Sequence, residues 1–140
     1  MRKIEEIDEI ILHCSATREG QDISAETIDR WHKKRGWKKI GYHLVIRLDG
    51  TKEYGRLLTE IGAHTQGRNR TSIGVCYIGG VDSNLKPKDT MTEAQEQTFR
   101  EYVKEMREMC NKHLALSGHK KYANKACPSF NVEDKFADIL

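Results

Sequence analysis

Three side chains that lie far apart in the chain could together do metal chemistry. They are His13, in Ile10-Ile11-Leu12-His13-Cys14-Ser15-Ala16-Thr17, and His119 and Cys127, both in the stretch from Gly118 to Phe130. Imidazole and thiolate are good donors to Zn2+, so these three would make a site closed by water if the fold brings them together. That is the donor set of a catalytic zinc centre. A structural centre normally takes four protein ligands, and no Cys-x-x-Cys pair is present to supply them. Taken alone, a His at a strand end is only a polar terminus, and a free Cys is often a small buried hydrophobe. The second reading is kept for Cys14, Cys76 and Cys110, whose scattered spacing forms no disulfide framework. Cys127 sits in a polar loop between Lys125 and Pro128, where simple burial explains less.

Strand ends are where ligands tend to collect, so the elements around these residues matter. Glu9 to His13 is a short apolar run rich in β-branched residues and reads as a strand ending at His13. Tyr42 to Leu48 alternates, with Tyr42, Leu44, Ile46 and Leu48 on one face, and Asp49-Gly50 predicts a hairpin turn into a return strand through Tyr54. Ile73 to Ile78 is a third buried strand closed by Gly79-Gly80, and Leu114-Ala115-Leu116 is a fourth that delivers His119 to an edge. Ser24 predicts the cap of a helix to about Lys34, with Ile23 and Ile28 as a hydrophobic staple and Ile28 and Trp31 facing the core. Thr92 and Gln95 fit a capping box for a long helix with Phe99, Tyr102, Val103, Met106, Met109 and Cys110 as its inner stripe. Val132, Phe136 and Ile139 suggest a last short helix. His32 and His113, in helical stretches, are expected to be exposed, and His43 to be a core or supporting histidine. The fold class that follows is α/β: a single domain over residues 1–140, with a mixed central β-sheet flanked by helices and the zinc site at one edge of the sheet.

With 140 residues, 32% charged and 37% hydrophobic, the chain suits a globular protein and not a disordered or fibrous one. A net charge of +3 falls short of a nucleic-acid footprint. The basic aromatic stretch Trp31 to Lys39 is read as a cationic helix C-terminus with a glycine cap, so no nucleic acid is expected as a partner. The first nine residues are acidic where a signal peptide needs an apolar core, and no apolar run reaches membrane-spanning length. Synthesis in the cytoplasm without a signal peptide, no membrane insertion and a monomeric state are the expectations.

Six motifs occur in order: His13-Cys14-Ser15-Ala16-Thr17, Gly36-Trp37, Gly41-Tyr42-His43, Arg47-Leu48-Asp49-Gly50-Thr51, Ser72-Ile73-Gly74-Val75-Cys76 and Lys125-Ala126-Cys127-Pro128-Ser129-Phe130. Together they resemble the type 2 N-acetylmuramoyl-L-alanine amidases, a family that includes phage endolysins and peptidoglycan recognition proteins. The phage lysozyme-type branch is the nearest in pattern, and the resemblance runs from about Ile10 to Phe136. It implies a zinc hydrolase acting on bacterial peptidoglycan, cutting the amide between the lactyl group of N-acetylmuramic acid and the first L-alanine of the stem peptide. It implies one Zn2+ per chain on His13, His119 and Cys127, with Tyr42 and Lys125 serving the reaction. His64 falls in a loop whose family counterpart lines the substrate groove and is a candidate substrate contact.

Such an enzyme would reach the wall after release through a holin-type pore. The alternative is a non-catalytic peptidoglycan-binding or regulatory protein with a structural zinc, its fourth ligand drawn from His43 or His64. Some phage amidases of this branch also restrain a phage RNA polymerase through N-terminal residues. This chain has few residues before His13, and that role is not carried over. Segments 65–71 and 81–90 follow no motif.

Overall fold

The computed structural model describes residues 1–140. All six residues of Glu9–Cys14 (β1) are buried, which requires cover above and below the sheet. The chain continues through Thr17–Arg18 (β2), Ala25–Lys34 (α1), Leu44–Ile46 (β3), Lys52–Tyr54 (β4), Ser72–Tyr77 (β5), Gly80–Val81 (β6), Glu93–Cys110 (α2), Ala115–Gly118 (β7) and Val132–Lys135 (α3). Five strands form one sheet in the order β4-β3-β5-β1-β7, and β2 pairs with β6 as a small separate ribbon. β4 is antiparallel to β3, while β3, β5, β1 and β7 run parallel, so the sheet is mixed as expected.

Alternation along the strands sorts side chains to two faces. Ile10, Leu12, Leu44, Ile46, Ile73, Val75 and Tyr77 pack against Phe99, Tyr102, Val103 and Met106 of α2 and against Val132 and Phe136. On the opposite face Val45, Cys76 and Ile78 meet Ile23 and Ile28 around α1. His13, out of phase with Ile10, Leu12 and Cys14, is left for that second face.

The predicted caps form. Ser24 Oγ accepts the Thr27 N–H, Thr92 and Gln95 make a reciprocal capping box, and Gly36 follows α1 with φ +89°. Five side chains differ from expectation. Trp31 is 39% exposed, because Ile28 and His32, four residues apart, form the inward line of α1. His32 is therefore buried, and its Nδ1 accepts the Gly41 N–H at 2.9 Å. Met109, in the last turn of α2, is 49% exposed, so the buried stripe ends at Met106. Tyr42 precedes β3 at a bend and packs on the α1 side of the sheet, not with Leu44 and Ile46, and Leu48 does the same beyond the strand's other end. His113 is exposed as expected, although α2 ends before it.

His43 is buried in the sheet, where Nδ1 accepts the Gly74 N–H at 3.0 Å. A neutral ring has one proton, so His43 Nε2–H donates to the Glu60 carbonyl at 2.9 Å. Arg2, 5% exposed, donates to the carbonyls of Leu58, Arg70 and Ser72 and ties that connection to the sheet.

Burial holds His32 and His43 down to about 4 from an ordinary 6.5. In the unfolded chain both rings take up protons near pH 6.5, whereas the folded protein resists until about pH 4. Stability is therefore fully present above about pH 6.5 and is lost as the pH falls toward 4. We expect the urea midpoint to drop across that window and the drop to be shallower in His43→Gln. An unchanged slope would remove His43 as a source.

Candidate metal centre and its groove

β1 and β7 are parallel neighbours with Leu12 opposite Gly118, so the residues that follow, His13 and His119, emerge side by side at the same end of the sheet. Their ring centroids are 4.5 Å apart. The returning loop is pinned by the Lys120 N–H donating to the Cys127 carbonyl at 2.8 Å, and the Cys14 N–H donates to Cys127 Sγ at 3.1 Å. One ligand atom from each of His13, His119 and Cys127 then lies within 4.8 Å of the others. His13 is buried, and the other two are half-buried. Neither His43 nor His64 joins this cluster, so no fourth protein ligand is present.

The electrostatics suit a cation. Burial, and then the neighbouring His64, His119 and Lys125, hold His13 well below its ordinary value; burial and Lys125 lower His119. Both imidazoles are thus neutral near pH 7, with lone pairs to give. The hydrogen bond with the Cys14 thiol, and then burial, push the Cys127 thiol up. A divalent ion would supply the positive charge that releases this proton. The residues present therefore fit a metal with an open position.

A groove of about 500 Å3 opens beside the cluster, lined by Trp37, Ala63, His64, Thr65, Gln66, Asn69, His119, Tyr122, Ala123 and Lys125. Lys125 is exposed on it. The Tyr42 ring lies 5.1 Å from that of His13. Burial, and then the Cys76, Cys127 and Cys14 thiols, push its phenol well above the ordinary range, so Tyr42 keeps its proton. His13, His119, Cys127, Tyr42 and Lys125 are therefore gathered at one place. His64 reaches the groove with only 9% of its surface exposed, and both its ring nitrogens have protein neighbours: His13 Nε2 at 2.9 Å from Nδ1, and Ser72 Oγ at 3.3 Å from Nε2.

A second cluster escaped the sequence reading. Glu9 is 2% exposed and accepts from Ser117, from Tyr122 at 2.6 Å and from Arg68 at 2.7 Å. Burial alone would raise this carboxyl, but the Ser117, Tyr122 and Arg68 donors more than reverse it and leave it below its ordinary value. The Arg68 guanidinium also sits 5.3 Å from the Tyr122 ring, so Glu9 and Arg68 together hold Tyr122, which lines the groove. The available signal was a carboxylate heading an otherwise apolar strand. Ser117 comes from the adjacent strand β7, but Arg68 and Tyr122 come from segment 65–71 and from the loop after β7, where no periodicity points.

The fold and site define a small α/β protein in which three side chains that could hold a metal ion gather at the end of a parallel strand pair. The chain belongs to the N-acetylmuramoyl-L-alanine amidase family, whose pattern matches residues 3–130. It is 41% identical over 131 residues to the endolysin of Klebsiella phage KP32, covering 94% of this chain and 86% of that protein. It is 40% identical over 129 residues to the endolysin of Escherichia phage T7, covering 92% and 85%. Among solved structures it is similar to the N-acetylmuramoyl-L-alanine amidase LysC from Clostridium intestinale, with a TM-score of 0.80, 26% identity, and 96% and 89% of the two chains covered.

Glu9→Gln keeps the shape of this side chain but replaces one acceptor oxygen with an NH2 donor that faces other donors. We expect a loss of about 1.5–3 kcal/mol in denaturant unfolding, as for hydrogen bonds to a charged group, with metal stoichiometry unchanged. Wild-type stability in this variant would show that the network is not held by the carboxylate charge.

Proposed function

We propose that this chain hydrolyses the amide bond between the lactyl group of N-acetylmuramic acid and the L-alanine of the peptidoglycan stem peptide, with one Zn2+ held by His13, His119 and Cys127. The observation that carries this reading is the convergence of those three ligand atoms within 4.8 Å beside an open groove. The family match and the phage endolysin relatives support the reaction class and action on the bacterial wall. We place that action after release through a holin-type pore.

Zinc, when bound, lowers the pKa of a coordinated water from 15.7 to about 7 and polarises a carbonyl. The protein's own groups do the rest. His13 and His119 enter as neutral donors, so protons compete with the metal for them only below the ordinary imidazole range. Lys125, two residues before Cys127, brings a fixed positive charge to the groove, where negative charge develops on the scissile carbonyl oxygen. Tyr42, kept protonated, is the neutral hydrogen-bond donor on the His13 side. The exposed part of Trp37 offers an apolar wall, and Gln66 and Tyr122 offer polar groups for a sugar-linked peptide.

Metal content by mass spectrometry, run beside release of new N-terminal alanine from purified peptidoglycan with and without chelator, tests the reading. One zinc per chain with chelator-sensitive release is expected; a metal-free protein would overturn it. Lys125→Ala and Tyr42→Phe should each keep the zinc and lose about 100- to 1000-fold in turnover, the usual effect of removing one such stabilising group. Near wild-type rates would remove that residue from the mechanism. The acid limb of the pH profile should move to lower pH when excess zinc is added, because protons and metal compete for the same ligands. A limb indifferent to zinc would assign it to another group.

A further inference from the structure

The Arg68 backbone carbonyl can only accept a hydrogen bond, and it receives the Ser72 hydroxyl proton at 2.7 Å. Ser72 Oγ is then an acceptor toward its other neighbour, His64 Nε2, at 3.3 Å. A neutral imidazole carries one N–H, so a proton on His64 Nε2 leaves Nδ1 as a lone pair. That lone pair lies 2.9 Å from His13 Nε2, which must therefore be the protonated nitrogen of His13. The hydrogen bonds of His13 all fall on Nε2, the second being to Thr65 Oγ1 at 3.3 Å, and Nδ1 is left with the lone pair.

We infer that the Arg68 carbonyl, Ser72 and His64 form a relay that fixes His13 as its Nε2–H tautomer and so presents Nδ1 to the metal. His64 is then a positioning residue and not a substrate contact; this deepens, and rests on, the zinc reading above. Histidine ligands commonly donate their second nitrogen to a carboxylate, carbonyl or water. Here another imidazole takes that place.

The surroundings are built for that ring. His13, His64 and Ser72 are all buried, and burial keeps both imidazoles neutral. Asn69 Oδ1 accepts the N–H groups of His64 and Thr65 at 2.8 and 2.9 Å, fixing the loop. Gly74 of β5 supplies the space: a Cβ there would lie 2.5, 2.6 and 2.8 Å from three atoms of the His64 ring. One added methyl group must displace the ring.

Zinc affinity, measured by competition with a chromogenic chelator, tests the relay in wild type, His64→Ala, His64→Asn, Ser72→Ala and Gly74→Ala, beside 15N NMR of the imidazoles in the metal-free wild type. Loss of a supporting partner of a metal ligand typically costs 10- to 100-fold in affinity. We expect about that loss in His64→Ala and in Gly74→Ala, and a smaller loss in Ser72→Ala. Recovery is expected in His64→Asn, whose Oδ1 can take the place of Nδ1 as acceptor. The spectrum should show His13 protonated on Nε2. Wild-type affinity in His64→Ala, or His13 protonated on Nδ1, would overturn the relay while leaving the zinc reading intact; a wild type that binds no zinc would overturn both. If His64→Ala does not fold, the His64→Asn and Ser72→Ala affinities and the wild-type spectrum decide the matter alone.

Discussion

Parallel pairing of β1 with β7 on one side and β5 on the other is the constraint on which the site depends. Parallel strands end at the same edge of a sheet, so two histidines about a hundred residues apart in sequence emerge together. The loop that carries Cys127 then needs only to fold back over that edge, where the Cys14 N–H donates to its sulfur. The same pairing sets the parity of β1. Ile10 and Leu12 point to the α2 layer, and the polar positions Glu9 and His13 point to the other face.

That second face is costly to build, because it buries groups that water would otherwise solvate. The cost is offset by complete pairing: no buried side-chain nitrogen or oxygen is left without a partner. Glu9 draws in Ser117, Tyr122 and Arg68; His43 bridges the Gly74 amide and the Glu60 carbonyl; His64 stands between His13 and Ser72. Each network ties a loop to a strand, so the polar groups specify where the groove walls stand as well as holding them. Their neutrality carries a consequence for pH, since buried uncharged imidazoles are what acid attacks first.

The groove side is different in kind. Lys125 is exposed, its charge available to a ligand, and Trp37 presents part of its ring. A rigid buried layer behind and a half-open charged surface in front would suit a metal ion that stays put and a ligand that comes and goes.

Residue type and local spacing determined a good deal unaided. The caps at Ser24 and Thr92, the Asp49-Gly50 hairpin and the strands around Ile11 and Val75 are local properties, readable from chemistry and periodicity, whereas the choice of His13, His119 and Cys127 as a donor set came from the resemblance of six ordered motifs to a family. Only the tertiary structure decided which of Trp31 and His32 faces inward, on which side of the sheet Tyr42 lies, and what His64 touches. Those outcomes depend on contacts between segments distant in sequence. His64 is seated by Asn69 and by Ser72 and Gly74 of β5, but the group it faces, His13, lies on β1, 51 residues away, and nothing around His64 in the sequence encodes that contact. Chemistry was legible from the chain because donor atoms belong to residues; geometry was not, because it belongs to pairs of residues that only folding brings together.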